Sequence, residues 1–473
     1  MAQFLSELAF FGVRVCPWPW LAYAIAGLVH IALILNLVAV GALIFIWLER
    51  KISARIQDRL GPTRVGGKFG WLQTLADGIK LLTKEDLMPN GADGLLFKIA
   101  PYVSFCAAIS AFIAIPFAGG AYPWIAQHLN VGIFFVLAVL GLEVFGVILA
   151  GYASASKWSL FGAMREAAQV VSYEVPLGMC TVVPVMIAGS MDMVVVGDIQ
   201  AGWFTNWLVF HDPFTFITFW VFFTCATASV NRAPFDLAEA ESELVAGFHT
   251  EYSGLRWSFF FMAEYGSMFS VSILVSILFL GGWHGPVPIA SLLGLGGETG
   301  TLGWGFVQLL GLGNVLLKGT IGVCVMMWIR WTLPRLRIDQ VMATCLKYCT
   351  PIAAVMFLGA TCWHYQLPSK NFFGLLDYPQ AVYEVHEGWG ASPNDTTTAP
   401  TSAADQDQTA GVLARPRFDR PTKSHPTTEI DSTSLMRSSA NIGSRGEPSI
   451  LISTASIWRR GEPPILISDG RRL

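Results

Sequence analysis

The chain has 473 residues, 53% of them hydrophobic and only 13% charged, with a net charge of −3 and a mean hydropathy of +0.52. A soluble domain carries about 25% charged residues, so this composition excludes one and describes an all-α polytopic membrane protein. The net charge says little by itself; the distribution of the charges is what matters.

In chain order, residues 1–16 lack the basic start, apolar core and cleavage site of a removable signal peptide, and residues 1–20 form the first segment. They read as an N-terminal interfacial segment. Phe4, Leu5, Leu8 and Phe11 suit a short surface helix, and Pro17-Trp18-Pro19-Trp20 suits an aromatic anchor. Apolar runs able to span a bilayer follow near 21–48, 99–118, 131–153, 167–190, 214–230, 257–282, 304–332 and 341–367. The expectation is therefore an eight-helix membrane domain over 21–367. Lys and Arg crowd the first, third, fifth and seventh connections, and none falls in 119–130, 191–213 or 283–303. By the positive-inside rule the odd connections are cytoplasmic and both termini lie on the outer side.

The first connection, 49–98, is long and rich in charge. Leu72, Leu75, Ile79 and Leu82 repeat at helical spacing, with Asp77, Lys80 and Lys84 on the opposing face. That pattern predicts an amphipathic helix on the membrane surface. A purely solvated basic loop is the competing reading. The third span carries Glu143, and the fourth carries Glu174 in the string SYEVP, with Arg165 and Glu166 at its mouth. Ionisable side chains inside spans are rare and functional by default. Pro176 and Pro184 free the carbonyls of Ser172 and Cys180, so this helix is expected to be broken or kinked where it faces protein or a wet cavity. The competing reading for Glu174 is a structural pair with Arg165, which requires the chain before Glu166 to fold back.

The fifth connection, 231–256, and the start of the sixth span concentrate Asp236, Glu239, Glu241, Glu243, Glu251 and Glu264 against two local cations, Arg232 and Arg256. Carboxylates between apolar segments neutralise or find partners. On a helix opened by Pro234, Asp236, Glu239 and Glu243 share one face and Glu241 takes the opposite one. Lys318 lies well inside the seventh span, where snorkelling to an interface and a functional role are both open. The basic cluster RWTLPRLRIDQ (330–340) ends that span. The glycine-rich 292–300 and 316–320 lack the spacing of dinucleotide or phosphate loops, and nothing suggests nucleic acid. The eight cysteines include no C-x-x-C pair; Cys345 and Cys349 share a helix face without further ligands in sequence, and no metal site is expected. Residues 368–473 form a C-terminal extension that reads as disordered, with RGEPSILIS (445–453) recurring as RGEPPILIS (460–468).

Three blocks, Glu49–Asp86, Gly151–Gly178 and RAPFDLAEAESELVAGFHTEYSG, closely resemble the quinone-site membrane subunit of complex I, in its bacterial and mitochondrial forms alike. The resemblance covers roughly 21–367. It implies a membrane subunit of a proton-pumping NADH:quinone oxidoreductase in the cell inner membrane, without a redox centre of its own. Quinone is the substrate, no cofactor is covalently bound, and iron–sulfur clusters and flavin reside in partner subunits. The partners implied are the other membrane and peripheral subunits and the lipid bilayer. By the same resemblance Glu49, Arg50, Arg59, Lys80, Arg232, Arg335 and Arg337 face the quinone chamber. Asp77, Glu143, Glu174, Asp236, Glu239, Glu241, Glu243, Glu251 and Glu264 serve proton relay and coupling, with Glu143 offset by about half a turn from the family's carboxylate. The alternatives are a scaffold subunit of a related membrane-bound hydrogenase, which lacks quinone chemistry, and a free-standing proton-coupled transporter, for which no internal repeat is evident.

Overall fold

A computed structural model of the chain describes residues 9–10, 13–14, 19–120, 123–238, 241–289 and 301–366. A backbone in hydrocarbon has no water to bond, so long apolar runs close their hydrogen bonds internally and form helices. The helices are α1 (Pro19–Ile56), α2 (Gln73–Thr83), α3 (Gly94–Ala114), α4 (Gly132–Ala153), α5 (Lys157–Ala188), α6 (Met193–Ile199) and α7 (Pro213–Ser229). After them come α8 (Glu241–Leu244), α9 (Gly254–Phe279), α10 (Thr301–Thr332), α11 (Ile338–Met342) and α12 (Thr350–Gln366), with a π-helical segment, Ala343–Cys349, joining the last two. At the N-terminus Ala9–Phe10 and Val13–Arg14 pair as two-residue antiparallel strands, and Phe4, Leu5, Leu8 and Phe11, expected on a surface helix, lie outside the described residues. The extension 368–473 and its repeat lie outside the described residues.

Among the described residues, seven helical runs are long and apolar enough to cross a membrane: Ala24–Ile56, Gly94–Ala114, Gly132–Ala153, Lys157–Ala188, Gly254–Phe279, Gly303–Thr332 and Ile338–Gln366. The expected eighth, α7, has 17 residues. At 1.5 Å per residue it is roughly 26 Å long, short of a hydrocarbon core of about 30 Å. The fourth span also differs from expectation, because α5 begins at Lys157 and places Arg165 and Glu166 within the helix. Arg165 and Glu174 are thus on one helix about 13 Å apart along the axis, which rules out their pairing.

Helix α9 is the axis of the bundle. Of its most apolar stretch 83% is buried, against 50% or less in every other span. It packs against α1, α3 and α10, while α4 and α5 close on α3 and α7. The odd connections meet at one end of the bundle: Asp93 N donates to Ala153 O (3.1 Å), Leu87 N to Ser253 Oγ (3.3 Å) and Leu336 N to Pro234 O (3.0 Å). The even ones meet at the other, where Phe204 N donates to Pro286 O (3.1 Å) and Gln308 Nε2 to Gly119 O (2.8 Å). There the Trp283 indole lies against Gly119 and Gly197, where an added Cβ would come within 2.2 and 2.3 Å of the ring. Cys345 and Cys349, on the π segment, share the buried core with Cys180 and Cys225 from α5 and α7, company that linear spacing did not reveal.

Helix α2 forms as expected, but its faces are assigned by the chain around it. Leu75, Ile79 and Leu82 are exposed, whereas Thr74 is buried and Asp77 and Lys80 turn toward α1 and α9. The 231–238 stretch departs from the expected helix. Ala233-Pro234 is cis, the backbone runs in turns, and regular helix is limited to the single turn α8. Pro101 removes the N–H that the Phe97 carbonyl would accept within α3. The Tyr252 hydroxyl supplies the missing donor at 3.1 Å, and the two rings stack at 4.1 Å. That bond ties the acidic connection to α3. Tyr252→Phe keeps the stack and leaves the carbonyl unbonded, and we expect a loss of about 1–3 kcal/mol. Thermal denaturation in membranes, followed by reactivity of the chain's buried thiols, should show an earlier transition in the variant. An unchanged transition would mean that water satisfies the carbonyl.

Candidate functional site

At the end where the odd connections meet, four helices deliver charged groups into a common interior. Glu49 stands seven residues before the end of α1 and is 6% exposed; Arg232, just beyond α7, is 4% exposed. Arg232 Nη1 lies 3.2 and 3.3 Å from the two Glu49 oxygens, and its Nε lies 2.7 Å from Glu264 Oε1 on α9. Its guanidinium also sits 4.4 Å over the Tyr265 ring. Arg330, from the last turn of α10, and the Tyr265 hydroxyl both donate to Glu49. Two carboxylates and two guanidiniums therefore close on one another with no net charge, which is what makes their joint burial tolerable. Burial opposes the charge on Arg232, but Glu264, Tyr265 and Glu49 outweigh it and hold the guanidinium well above its ordinary pKa.

The acidic connection spreads outward from this cluster. Arg335 Nη2 bonds Asp236 Oδ2 at 3.1 Å, and Arg165 Nη1 bonds Glu243 Oε2 at 2.6 Å. The Arg165 hydrogen bond and charge hold the Glu243 carboxyl below its ordinary range. Asn231 Nδ2 donates to Glu166 Oε1 (2.6 Å), and Gln169 Nε2 donates to Asn231 Oδ1 (3.0 Å) and to the Ala228 carbonyl (2.8 Å). Instead of one group of like carboxylates, Asp236, Glu243 and Glu264 are each matched to an arginine from outside the loop or at its start. Sequence counting missed this because Arg165, Arg330 and Arg335 are distant in the chain. Glu239 lies outside the described residues, as does the side chain of Glu241; Glu251 is half-buried.

Contacts extend from the cluster to carboxylates on α4 and α5. Ser267 Oγ donates to the Glu264 carbonyl (3.0 Å) and lies 3.4 Å from Glu143 Oε1 on α4. On the same helix α4, an ideal Cβ on Gly141 would stand 3.0 Å from Glu174 Oε1, so the Glu174 carboxyl rests against the backbone of α4. Glu174 itself is exposed at the outside of the chain.

Beside the cluster lies an apolar cavity of about 290 Å³ between α1, α2 and α9. Ala39, Leu43, Ile46, Leu81, Phe261 and Met262 line its body. Arg50, Asp77 and Lys80 give it a polar edge, with Arg50 2.6 Å and Lys80 3.6 Å from Asp77. The Phe261 ring meets Tyr265 at 5.0 Å, so the cavity wall touches the cluster directly. Arg59 is exposed, bonds Gln57, and does not line the cavity. Arg337 lines a separate polar hollow of about 140 Å³ with Arg165, Glu243, Arg335 and Asp339. Two members of the cluster were not singled out from sequence, Tyr265 and Arg330. Arg330 was legible only as part of the basic end of a span, and Tyr265 carries no signal of its own.

A family model described as NADH dehydrogenase matches residues 29–361. A relative from Chlorobium luteolum, a subunit of NADH-quinone oxidoreductase, is 45% identical over 358 residues, 73% of this chain and 94% of the relative. The same oxidoreductase subunit from Chlorobaculum tepidum is 46% identical (71% and 92% covered), and that of Geobacillus kaustophilus 43% (70% and 90%).

Deleting the central cation separates buried from exposed pairing. Arg232→Met leaves Glu49 and Glu264 short of a partner in low dielectric, an expected cost of roughly 3–5 kcal/mol. The chain should then accumulate poorly in membranes. Arg165→Met removes a partner from a half-exposed carboxylate and should cost under about 1 kcal/mol. Because the Glu243 carboxyl is depressed, even that contribution is present above its unfolded pKa and vanishes as pH falls through the lower folded value. Native gels of membranes from the two variants measure the contrast; equal accumulation would contradict it.

Proposed function

The chain belongs to the NADH dehydrogenase family, whose members include subunits of NADH-quinone oxidoreductase, and from that premise we propose that it is the membrane subunit of complex I that forms part of the quinone chamber. The observation that carries this reading is the contact between the apolar cavity and the buried ion cluster through Phe261 and Tyr265. An isoprenoid tail needs an apolar slot, and a reacting head group needs fixed charges beside it. Arg50, Asp77 and Lys80 would select the head-group end, and the aliphatic lining would take the tail. Nothing comparable is required of a hydrogenase scaffold.

Reduction of quinone takes two electrons, delivered from an iron–sulfur cluster of a partner subunit, and two protons. Negative charge developing beside the cavity competes with Glu49 for the guanidiniums of Arg232 and Arg330. Weakening either pair alters the proton affinity of Glu49 and Glu264. Ser267 links Glu264 to Glu143, and Glu174 rests against the same helix α4, so the change has a physical route into the bilayer. Asp236 and Glu243, with Arg335 and Arg165, couple the outer part of the loop to α5 and to the segment before α11. Glu239, Glu241 and Glu251 belong to the same relay in this reading, and Arg59 and Arg337 steer anions at its rim.

The Lys/Arg asymmetry favours a cytoplasmic position for the cavity end and an outer one for the even connections. A cysteine substituted for Lys68 should react with a membrane-impermeant maleimide only in inside-out vesicles, and one at Gln127 only in right-side-out vesicles. The reverse pattern would overturn the orientation.

Ser258→Trp fills the cavity from its α9 wall. The complex should assemble and oxidise NADH with a hydrophilic acceptor at the parent rate, while KM for a long-tailed quinone rises roughly tenfold, the equivalent of about 1.4 kcal/mol. Parent-like quinone kinetics would remove the cavity from the path. Glu143→Gln and Glu174→Gln should both assemble, with quinone turnover and proton pumping falling together. Undiminished, fully coupled turnover in both would refute the relay.

A further inference from the structure

Glu166, in the third turn of α5, is 0% exposed, although it stands outside the Glu264–Ser267–Glu143 contacts and does not line the cavity. Gly162, Glu166, Gln169 and Tyr173 recur at helical spacing on one face of α5. That face presses on the acidic connection: a Cβ added to Gly162 would stand 2.8 Å from the Ala238 carbonyl oxygen and 3.0 Å from Phe248 N. Gln169 and Tyr173 are buried with Glu166. A carboxyl taken out of water keeps its charge or its proton according to what surrounds it, so its partners decide what it does.

Those partners are set by a chain of amides. Gln169 Nε2 donates to the Ala228 carbonyl at 2.8 Å and to Asn231 Oδ1 at 3.0 Å. With its oxygen engaged there, Asn231 turns its Nδ2 to Glu166 Oε1, 2.6 Å away. The Asn231 backbone is left-handed (φ +55°), a conformation that asparagine enters more readily than most residues, and its N–H closes on the Ala228 carbonyl at 3.3 Å. One residue thus ends α7, bonds Glu166 and immediately precedes Arg232, the central cation of the ion cluster. Glu143 of α4 and Tyr173 of α5 both lie within electrostatic reach of Glu166, and Glu143 is also within reach of Glu264 on α9. Arg165, next to Glu166 in the chain, is engaged with Glu243. Glu166 is therefore tied to the residue before Arg232 by a hydrogen bond and to Glu143 by charge.

We propose that Glu166 is a proton-holding residue of the coupling path, joined to the ion cluster through Asn231 and to Glu143 through its charge. Negative charge developing in the cavity draws on Arg232, and a shift of Arg232 moves the adjoining Asn231 and the amide that Glu166 accepts from. Protonation of Glu166 then changes the field at Glu143, which gives or takes a proton in answer. This line into Glu143 enters from the acidic connection, whereas Ser267 enters from α9. The role rests on the coupling reading proposed for the chain and adds a residue to it.

The experiment uses the assembled complex in inside-out membrane vesicles, its content measured on native gels. Glu166→Gln keeps an acceptor oxygen for Asn231 and removes titration. It should assemble, with NADH-to-quinone turnover and proton pumping falling together roughly a hundredfold, the low end of what a positioned acid–base group contributes. Infrared difference spectra of the complex on reduction should lose a carboxyl band in the same variant. Glu166→Asp keeps the carboxyl and should retain much more of both activities, which a purely structural side chain of fixed length would not allow. Parent-like turnover in assembled Glu166→Gln overturns the proposal, as does an unchanged infrared spectrum or an assembled Glu166→Asp as slow as Glu166→Gln. Should Glu166→Gln fail to accumulate, Asn231→Gly decides: it keeps the left-handed turn and removes only the amide, so parent-like turnover overturns the role and a fall supports it. Glu143→Gln in the same assay separates this role from the relay as a whole. If Glu143→Gln keeps fully coupled turnover, the relay fails and Glu166 with it; if it is slow while Glu166→Gln is parent-like, only Glu166 is removed.

Discussion

A guanidinium cannot be left alone in low dielectric, and the arrangement around Arg232 follows from that constraint. Its neutralisation needs carboxylates on α1 and α9, and the second carboxylate charge needs Arg330 from α10. Three spans and the loop after α7 are thereby fixed to one another by charges whose partners lie up to 281 positions apart. The apolar packing of the spans does not choose a register so sharply, because lipid tails are nearly as good a neighbour for a leucine as another leucine is. Buried ionic pairs are weak sources of net stability but strong sources of specificity of this kind. In the proposed function the same closed network is what a negative charge developing in the cavity would act on.

Helix α9 joins the parts of the molecule that carry function. Its first turns wall the apolar cavity through Trp257, Ser258, Phe261 and Met262. Glu264 and Tyr265 enter the ion cluster, Ser267 reaches Glu143, and the far end of the helix is closed by Lys318. A helix this buried tolerates polar residues only if each finds a partner, and most of its serines do so on their own helix backbone. Ser276 is the exception among the described residues. The two ends of α9 thus differ electrostatically, with a balanced cluster at one and a single cation held by backbone carbonyls at the other.

The acidic connection shows how a loop between spans is made rigid without regular structure. Tyr252 replaces the donor lost at Pro101, Leu336 N pairs with Pro234 O, and Asn231 bridges Glu166 to Gln169. Each of these bonds answers a polar group elsewhere in the chain, so the loop is satisfied by its surroundings rather than by itself. That is why a helical reading of 231–238 failed. Pro234 and the good helix formers after it favour a helix locally, but tertiary partners offered the backbone and the carboxylates a better set of bonds.

Sequence by itself determined the membrane class, the approximate position of seven long spans, the existence of helix α2 and the grouping of odd and even connections, because length, apolarity and cation placement are local properties that hydrocarbon enforces directly. It also named Glu49, Arg232, Asp236, Glu243 and Glu264, since charge beside apolar runs is conspicuous in any context, and the motif resemblance tied them to one family. Pairing was decided only by the tertiary structure. Arg165 is claimed by Glu243 rather than Glu174, Arg330 and Tyr265 complete the Glu49 cluster, and α2 turns Asp77 and Lys80 toward a cavity that no single helix contains. The fate of Lys318 was likewise undecidable from its own span, because its ligands are backbone carbonyls more than thirty residues away that only the end of α9 brings to it. Periodicity reports which face of a helix is polar; it cannot report what that face meets, since a partner's identity is a property of three-dimensional packing.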